Sequence, residues 1–336
     1  MKITQASLEE DFRRLRIKAG DLLFITGGMK SIGSKEDIDG NLYDFFIPVL
    51  LKIIGDSGTL VTYAYTKQYL LKSIKESDVF TKSTISTSGG AIANLMLAHK
   101  NVVRSSHPTS SCVAIGRLAH EILDDHTPSS TAYSVLGKLV EFDAKLIVFG
   151  CLDTNPGMPL LHYVEEYLGL FKRNTSLLSF LRLDLGVYFF DKNGEKKIFR
   201  RPVKDVGGCY YGTYRLFKEY DSRDLWIKGN LGKSIAVQVS AQDSFKLESE
   251  LISKNNALIT CDDPYCIRCN LLTPRKKHTV LYFFAYKIWV VLIRVLIAII
   301  KHRSIKETLL RVKINYNISQ DPIFKEVIHE IHERYS

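Results

Sequence analysis

Apolar and polar positions change period repeatedly along the first 270 residues. Residues 7–19 place apolar side chains at helical spacing, whereas DLLFIT (21–26) is an apolar run of strand length that ends at Gly27 and Gly28. The order is helix, strand, loop. LYDFFIPVLLKII (42–54) predicts a second amphipathic helix, GDSG (55–58) a turn, and TLVTYAY (59–65), rich in β-branched and aromatic residues, a second strand. SGGAIANLMLAHK (88–100) predicts a helix that opens on small residues. NVVRSSHPTSSCVAIG (101–116) predicts two extended pieces on either side of a polar kink at His107-Pro108, because the residue before a proline is pushed away from helical geometry. RLAHEILDDH (117–126) predicts the next helix.

KLIVFG (145–150) is a continuous apolar run of the kind buried on both faces of a sheet. It passes through the polar loop CLDTNPGMP (151–159) into the helical pattern LLHYVEEYLGLF (160–171), the type of junction where α/β proteins keep their sites. GVYFFDKNGEKKIFRRPV (186–203) predicts a hairpin turning at Asn193-Gly194, which makes the sheet mixed. No internal repeat or long linker interrupts the chain before about residue 270. The fold class is α/β with a mixed central sheet over residues 1–270, followed by a C-terminal helical extension over 271–336.

Composition narrows the classes. With 336 residues, 46% hydrophobic and 24% charged, the chain has ample material for a core and is neither disordered nor a disulfide-stapled miniprotein. The formal charge of +10 is uneven, since residues 271–336 hold 12 Lys/Arg against 5 Asp/Glu. The folded body carries no basic stripe with interleaved aromatics, so nucleic acid is not an expected partner. The apolar stretch 279–300 contains Lys287 and Arg294, which are expensive at bilayer depth and argue against a spanning helix. Lys287, Arg294 and Lys301 are seven apart and share one stripe of a helix. This predicts an amphipathic helix whose apolar face, through residues 279–301, meets either a membrane surface or a second subunit in a homodimer. Six cysteines and an N-terminus without the apolar core of a signal peptide point to the cytoplasm, at the inner face of the membrane if the tail binds lipid.

The candidate chemistry begins with absences. There is no GxGxxG after the first strand, no GxxxxGK[ST] and no HExxH, which removes dinucleotide, P-loop and zinc-protease readings. Cys261, Cys266 and Cys269 in CDDPYCIRC are half a zinc signature, with His278 a conceivable fourth ligand; no metal is expected. Two loop-proximal histidines remain, His107 in SSHPTSS and His162 three residues before Glu165.

The ordered segments VVRSSHPT, LIVFGCLDTN and LLHYVEE resemble the aminoglycoside 3-N-acetyltransferase (antibiotic N-acetyltransferase) family. The resemblance extends from KAGDLLFITGGMKSIG through GDSGTLVTYAYT and STSGGAIANLM to NALITCDDPYCIRC. It implies an αβα N-acyltransferase that uses acetyl-CoA (or another acyl-CoA) and acylates an amino group of an aminosugar; the added basic amphipathic extension points to a cell-surface polysaccharide precursor as the acceptor ahead of an aminoglycoside. By resemblance His162 is the general base. An alkylammonium must lose a proton before it attacks a carbonyl, and imidazole is suited to take it near neutral pH. Asp205, eight residues past Lys197, stands where the family has an orienting glutamate. Gly27 and Gly28 replace the family's His-Ser-Ser after the first strand and, with Ser106 and His107, are the expected cofactor side. Asp78, Asp153, Asn155 and Glu165 are the expected substrate side. The missing glutamate, the altered DTNPGMPLLH loop and the glycine pair motivate one alternative, a non-catalytic scaffold that binds CoA or a partner and keeps the fold.

Overall fold

The computed structural model describes residues 2–87, 89–152, 158–170, 185–201 and 212–260, and four helical positions further on, Ile288, Trp289, Leu292 and Leu296. Helix α1 (Gln5–Arg14) starts at a reciprocal cap in which the Thr4 hydroxyl accepts the Ser7 N–H while the Ser7 hydroxyl accepts the Thr4 N–H. It stops well short of residue 19 because the chain turns through Arg16 at φ 58°. Strand β1 (Leu22–Gly27), helix α2 (Leu42–Ile54) and strand β2 (Thr59–Tyr63) follow as the sequence pattern predicts. Next come two-residue strands β3 (Tyr69–Leu70) and β4 (Val79–Phe80), helix α3 (Gly90–Leu97), and strands β5 (Val103–Arg104) and β6 (Cys112–Gly116) on either side of the His107-Pro108 kink. Helices α4 (Ala119–Leu123) and α5 (Ser134–Glu141) lead to strand β7 (Lys145–Phe149) and helix α6 (Leu161–Tyr167). The remaining elements are β8 (Leu185–Phe190), β9 (Lys196–Arg200), α7 (Phe217–Ser222), β10 (Trp226–Leu231), β11 (Ser234–Ser240) and α8 (Ala241–Lys254).

Seven strands form the central sheet in the order β10-β11-β7-β1-β2-β6-β5. Strand β1 is parallel to both β2 and β7, and the outer pairings are antiparallel. The sheet is mixed, but the 186–203 hairpin is not the cause. That hairpin, β8–β9, belongs to a separate four-stranded sheet with β3 and β4. The strands that run against β1, β2 and β7 are β6, which pairs with the edge strand β5, and on the other side β11, which pairs with the edge strand β10; the sequence pattern did not single out β10 and β11.

The period-2 alternation of the strands divides the core between the two faces. Leu22, Phe24, Val61, Leu146 and Val148 face α4, α5, α6, α7 and α8; Leu23, Ile25, Leu60, Ile147 and Phe149 face α1, α2 and α3. The fold is therefore αβα. Parallel strands β1, β2 and β7 discharge their carboxyl ends along one edge, and the loop from β7 to α6 begins there. Gly150, the first residue of that loop, has φ +60°, and a Cβ on it would run into Ser31 Oγ.

Residues 271–336 lie outside the described residues apart from the four helical positions, whose side chains are exposed. Among the described residues no helix is long and apolar enough to cross a membrane.

Candidate active site

Helix α6 packs its Leu161 and Val164 into the core, and this fixes the directions of the polar residues between them. His162 and Glu165 are three apart and therefore on one side of the helix. The His162 ring keeps 24% of its surface exposed, Glu165 none, and the two meet with Nδ1 2.7 Å from Oε2. A hydrogen on Nδ1 donated to that carboxylate leaves the lone pair on Nε2, which makes no hydrogen bond to a described residue. The pair thus presents one basic nitrogen at the carboxyl edge of the sheet.

Neighbouring elements hold the pair in place. The Tyr133 ring, at the start of α5, lies 5.3 Å from the imidazole and tilted by 47°. Thr131 Oγ1 donates to Glu166 Oε1 at 2.6 Å, which ties the next residue of α6 to the loop before α5. The Tyr63 hydroxyl, at the end of β2, donates to the Pro159 carbonyl at 2.8 Å and so fixes the chain as it enters α6. Burial pushes the Tyr63 and Tyr65 phenols well above their ordinary range, so both remain neutral hydrogen-bonding groups.

Below Glu165 lies a second buried acid. Glu248 on α8 has no exposed surface, and its Oε1 accepts the Tyr220 hydroxyl at 2.8 Å. Burial first, and the nearby Glu165 charge after it, push its carboxyl up to about 8 against the hydrogen bond from Tyr220. Sequence reasoning did not name it. The available signal was a glutamate on the apolar stripe that Ser244, Leu247 and Ile252 trace along α8.

Several expected site residues have other surroundings. Glu165 cannot meet a substrate directly, because it is wholly buried and its carboxylate is engaged by His162. His107 is also fully buried, stacked on His126 with centroids 4.7 Å apart and edge-on to Phe199 at 5.1 Å. Its Nδ1 accepts the Ser110 N–H at 3.0 Å, which ties the imidazole to the backbone of the kink. Burial, reinforced by the neighbouring imidazole and Arg201, lowers the His107 pKa to about 3. Burial lowers that of His126 to about 4.

The glycine pair packs against β7 and the residue that follows it. The Gly28 N–H is donated to the Phe149 carbonyl at 3.0 Å, and a Cβ on Gly27 would collide with that same carbonyl oxygen and the Phe149 ring. Close approach of β1 and β7 accounts for Gly27. Asp78 accepts the Lys75 N–H at 2.8 Å and lies against the Tyr69 phenol, whose pKa burial and that carboxylate raise; it closes a turn beside the small sheet. Ser106 is half-buried, and its hydroxyl makes no hydrogen bond to a described residue. Asp153, Asn155, Asp205, Cys261, Cys266 and Cys269 lie outside the described residues.

Arg104 closes the far side of the His107 kink. Its buried guanidinium donates to the Ser111 hydroxyl at 3.1 Å and to the carbonyls of Ala64 (2.8 Å), Lys82 (3.1 Å) and Thr84. Burial lowers its pKa to about 10, and at neutral pH it stays charged.

Comparison with known proteins follows the same outline. Residues 25–252 match the model of the family described as aminoglycoside 3-N-acetyltransferase. A prophage-derived aminoglycoside N(3')-acetyltransferase-like protein, YokD of Bacillus subtilis, is 23% identical over 69% of this chain and 95% of its own. An aminoglycoside N(3)-acetyltransferase III of Pseudomonas aeruginosa is 24% identical over 71% of this chain and 90% of its own. Among solved structures, the binary complex of AAC-IIIb with CoASH superimposes with a TM-score of 0.60 at 21% identity, over 76% of this chain and 97% of that one.

Proposed function

This chain belongs to the aminoglycoside 3-N-acetyltransferase family, and we propose that it transfers an acetyl group from acetyl-CoA to an amino group of an aminoglycoside. The observation that carries the reading is the His162–Glu165 pair, with Nδ1 held by a buried carboxylate and Nε2 left open. His162 accepts a proton from the acceptor's ammonium at Nε2, which frees the nitrogen lone pair for attack. Glu165 holds the ring in one tautomer and offsets the positive charge that the imidazole then acquires. In this reading Glu165 has the orienting role that the sequence suggested for Asp205.

Acetyl-CoA, when bound, supplies the thioester carbonyl that the amine attacks. The chain's groups fit such a donor through Ser106, whose free hydroxyl can meet an amide of the pantetheine arm. The names of the relatives, and of a solved relative bound to sisomicin, favour an aminoglycoside over the polysaccharide precursor suggested by the C-terminal extension. The intact base pair favours catalysis over a scaffold that has only kept the fold.

The test is thiol release from acetyl-CoA by the wild type and His162→Ala, against a panel of aminoglycosides and amino-sugar nucleotides. Turnover with an aminoglycoside, lost in the variant, is the expected result. Turnover only with a sugar nucleotide moves the acceptor to glycan synthesis, and CoA binding without turnover on any amine returns the scaffold reading.

A further inference from the structure

Glu248 has a carboxyl with one oxygen bonded and one orphaned: Oε1 accepts the Tyr220 hydroxyl at 2.8 Å, and Oε2 is buried without a hydrogen-bond partner. A carboxylate in that position would lack both solvent and a cation. The groups acting on it are acids and hydroxyls. Tyr220 approaches from α7 and shares its hydroxyl with Ser244 at 2.7 Å; Glu165 acts from α6, and the field of Glu248 reaches Tyr63 at the end of β2. On α5, which also packs against α8, the charged side chains Lys138 and Glu141 pair with each other in solvent at 3.0 Å. No cation within the described residues compensates Glu248.

Resting on the acetyltransferase reading, we infer that Glu248 is a positioning residue for His162: by keeping its proton it leaves Glu165 as the one negative charge beneath the imidazole among the described residues. Two carboxylates enclosed in the same apolar layer repel strongly, and one of them holds a proton. Glu165 faces the His162 imidazole whereas Glu248 faces the Tyr220 hydroxyl, which assigns the shared proton to Glu248. The burial that raises the Glu248 pKa to about 8 places the loss of its proton just above neutral pH. Above that point repulsion between Glu248 and Glu165 works to separate α8 from α6. His162 then loses the carboxylate that orients it, and turnover falls.

Glu248→Gln reproduces the neutral acid at every pH. In steady-state acetylation from pH 6 to 9.5, the variant is expected to stay within about threefold of wild-type kcat at pH 7. It is also expected to keep its kcat above pH 8, where the wild type declines, with KM for both substrates unchanged at pH 7. A purely structural Glu248 would not remove an alkaline limb from kcat. Superimposable profiles overturn the proposal, as does a folded Gln variant that loses more than tenfold at pH 7. A second readout needs no turnover: urea midpoints from pH 5 to 8 are expected to fall for the wild type relative to Glu248→Gln as the unfolded chain, and not the folded one, gives up the proton. If the wild type acetylates no amine, the acetyltransferase reading fails and this titration decides where the proton resides; a constant gap between the two proteins refutes its place on Glu248.

Discussion

Glu165 Oε2 stands 2.7 Å from His162 Nδ1, with the carboxylate wholly buried and the imidazole a quarter exposed. Their i, i+3 spacing brings them to one side of α6, and packing of the helix decides that the acid points inward and the base outward. A general base needs this division, because a screened carboxylate would hold the imidazole less firmly.

If the pair carries the chemistry, His162→Ala lowers kcat by on the order of 10²–10⁴-fold, the range for a positioned acid-base group. Glu165→Gln keeps the shape and removes the charge, and is expected to cost on the order of 10²-fold in kcat with little change in KM. Steady-state kinetics on an active aminoglycoside measure both. Full activity in the Gln variant would contradict the role assigned to Glu165.

Gly27 is held by packing. Gly27→Ala drives a methyl group into the Phe149 carbonyl and ring and is expected to cost roughly 1–3 kcal/mol in urea unfolding, the usual penalty for overpacking. Gly28→Ala meets the Gly150 carbonyl at 3.0 Å, a tight but adjustable contact, and should destabilise less. Neither substitution is expected to raise KM for acetyl-CoA. An increase in KM without loss of stability would restore the glycine pair to the cofactor site.

The stacked histidines set acid sensitivity. Burial depresses the folded pKa of His107 to about 3 and of His126 to about 4, below the ordinary value of about 6.5. For groups shifted in this direction the stabilisation is fully present above pH 6.5 and is lost as pH falls toward the folded values. Each contributes a slope of about 1.4 kcal/mol per pH unit in that window. Urea unfolding at pH 7, 6 and 5 should show a steep decline that His126→Gln reduces by one proton. An unaltered slope would mean that His126 is already charged in the folded chain.

Arg104 joins three backbone carbonyls and the Ser111 hydroxyl through one planar cation. Lysine has neither the fork nor enough donors to replace it. Arg104→Lys is therefore expected to cost roughly 2–4 kcal/mol, since it leaves buried acceptors unpaired. Calorimetric or denaturant unfolding measures the loss, and a wild-type midpoint would show that those carbonyls find other donors.

Legibility in the sequence varied with the range of the interaction. The strands 22–27, 59–63 and 145–149, helix 42–54 and the turn at Asn193-Gly194 lie where local patterning places them, because each is specified by its own apolar period or turn residues. Helix α1 shows the limit of this reading. Its apolar spacing continues past Arg14, but Leu15 already caps the helix and Ile17 reaches the core from a chain that has turned at Arg16.

The sequence alone determined the α/β class, the position of His162 at a strand-to-helix junction and the family to which its motifs belong, since all three follow from the order of short local patterns. Only the tertiary structure decided which carboxylate meets His162, why β1 ends in a glycine, that the 186–203 hairpin joins a separate sheet with β3 and β4, and that Glu248 lies beneath the site. Those outcomes depend on burial and on contacts between residues far apart in the chain. Glu165 and Glu248 are 83 positions apart, and no local period reports that two helices will enclose them in the same apolar layer.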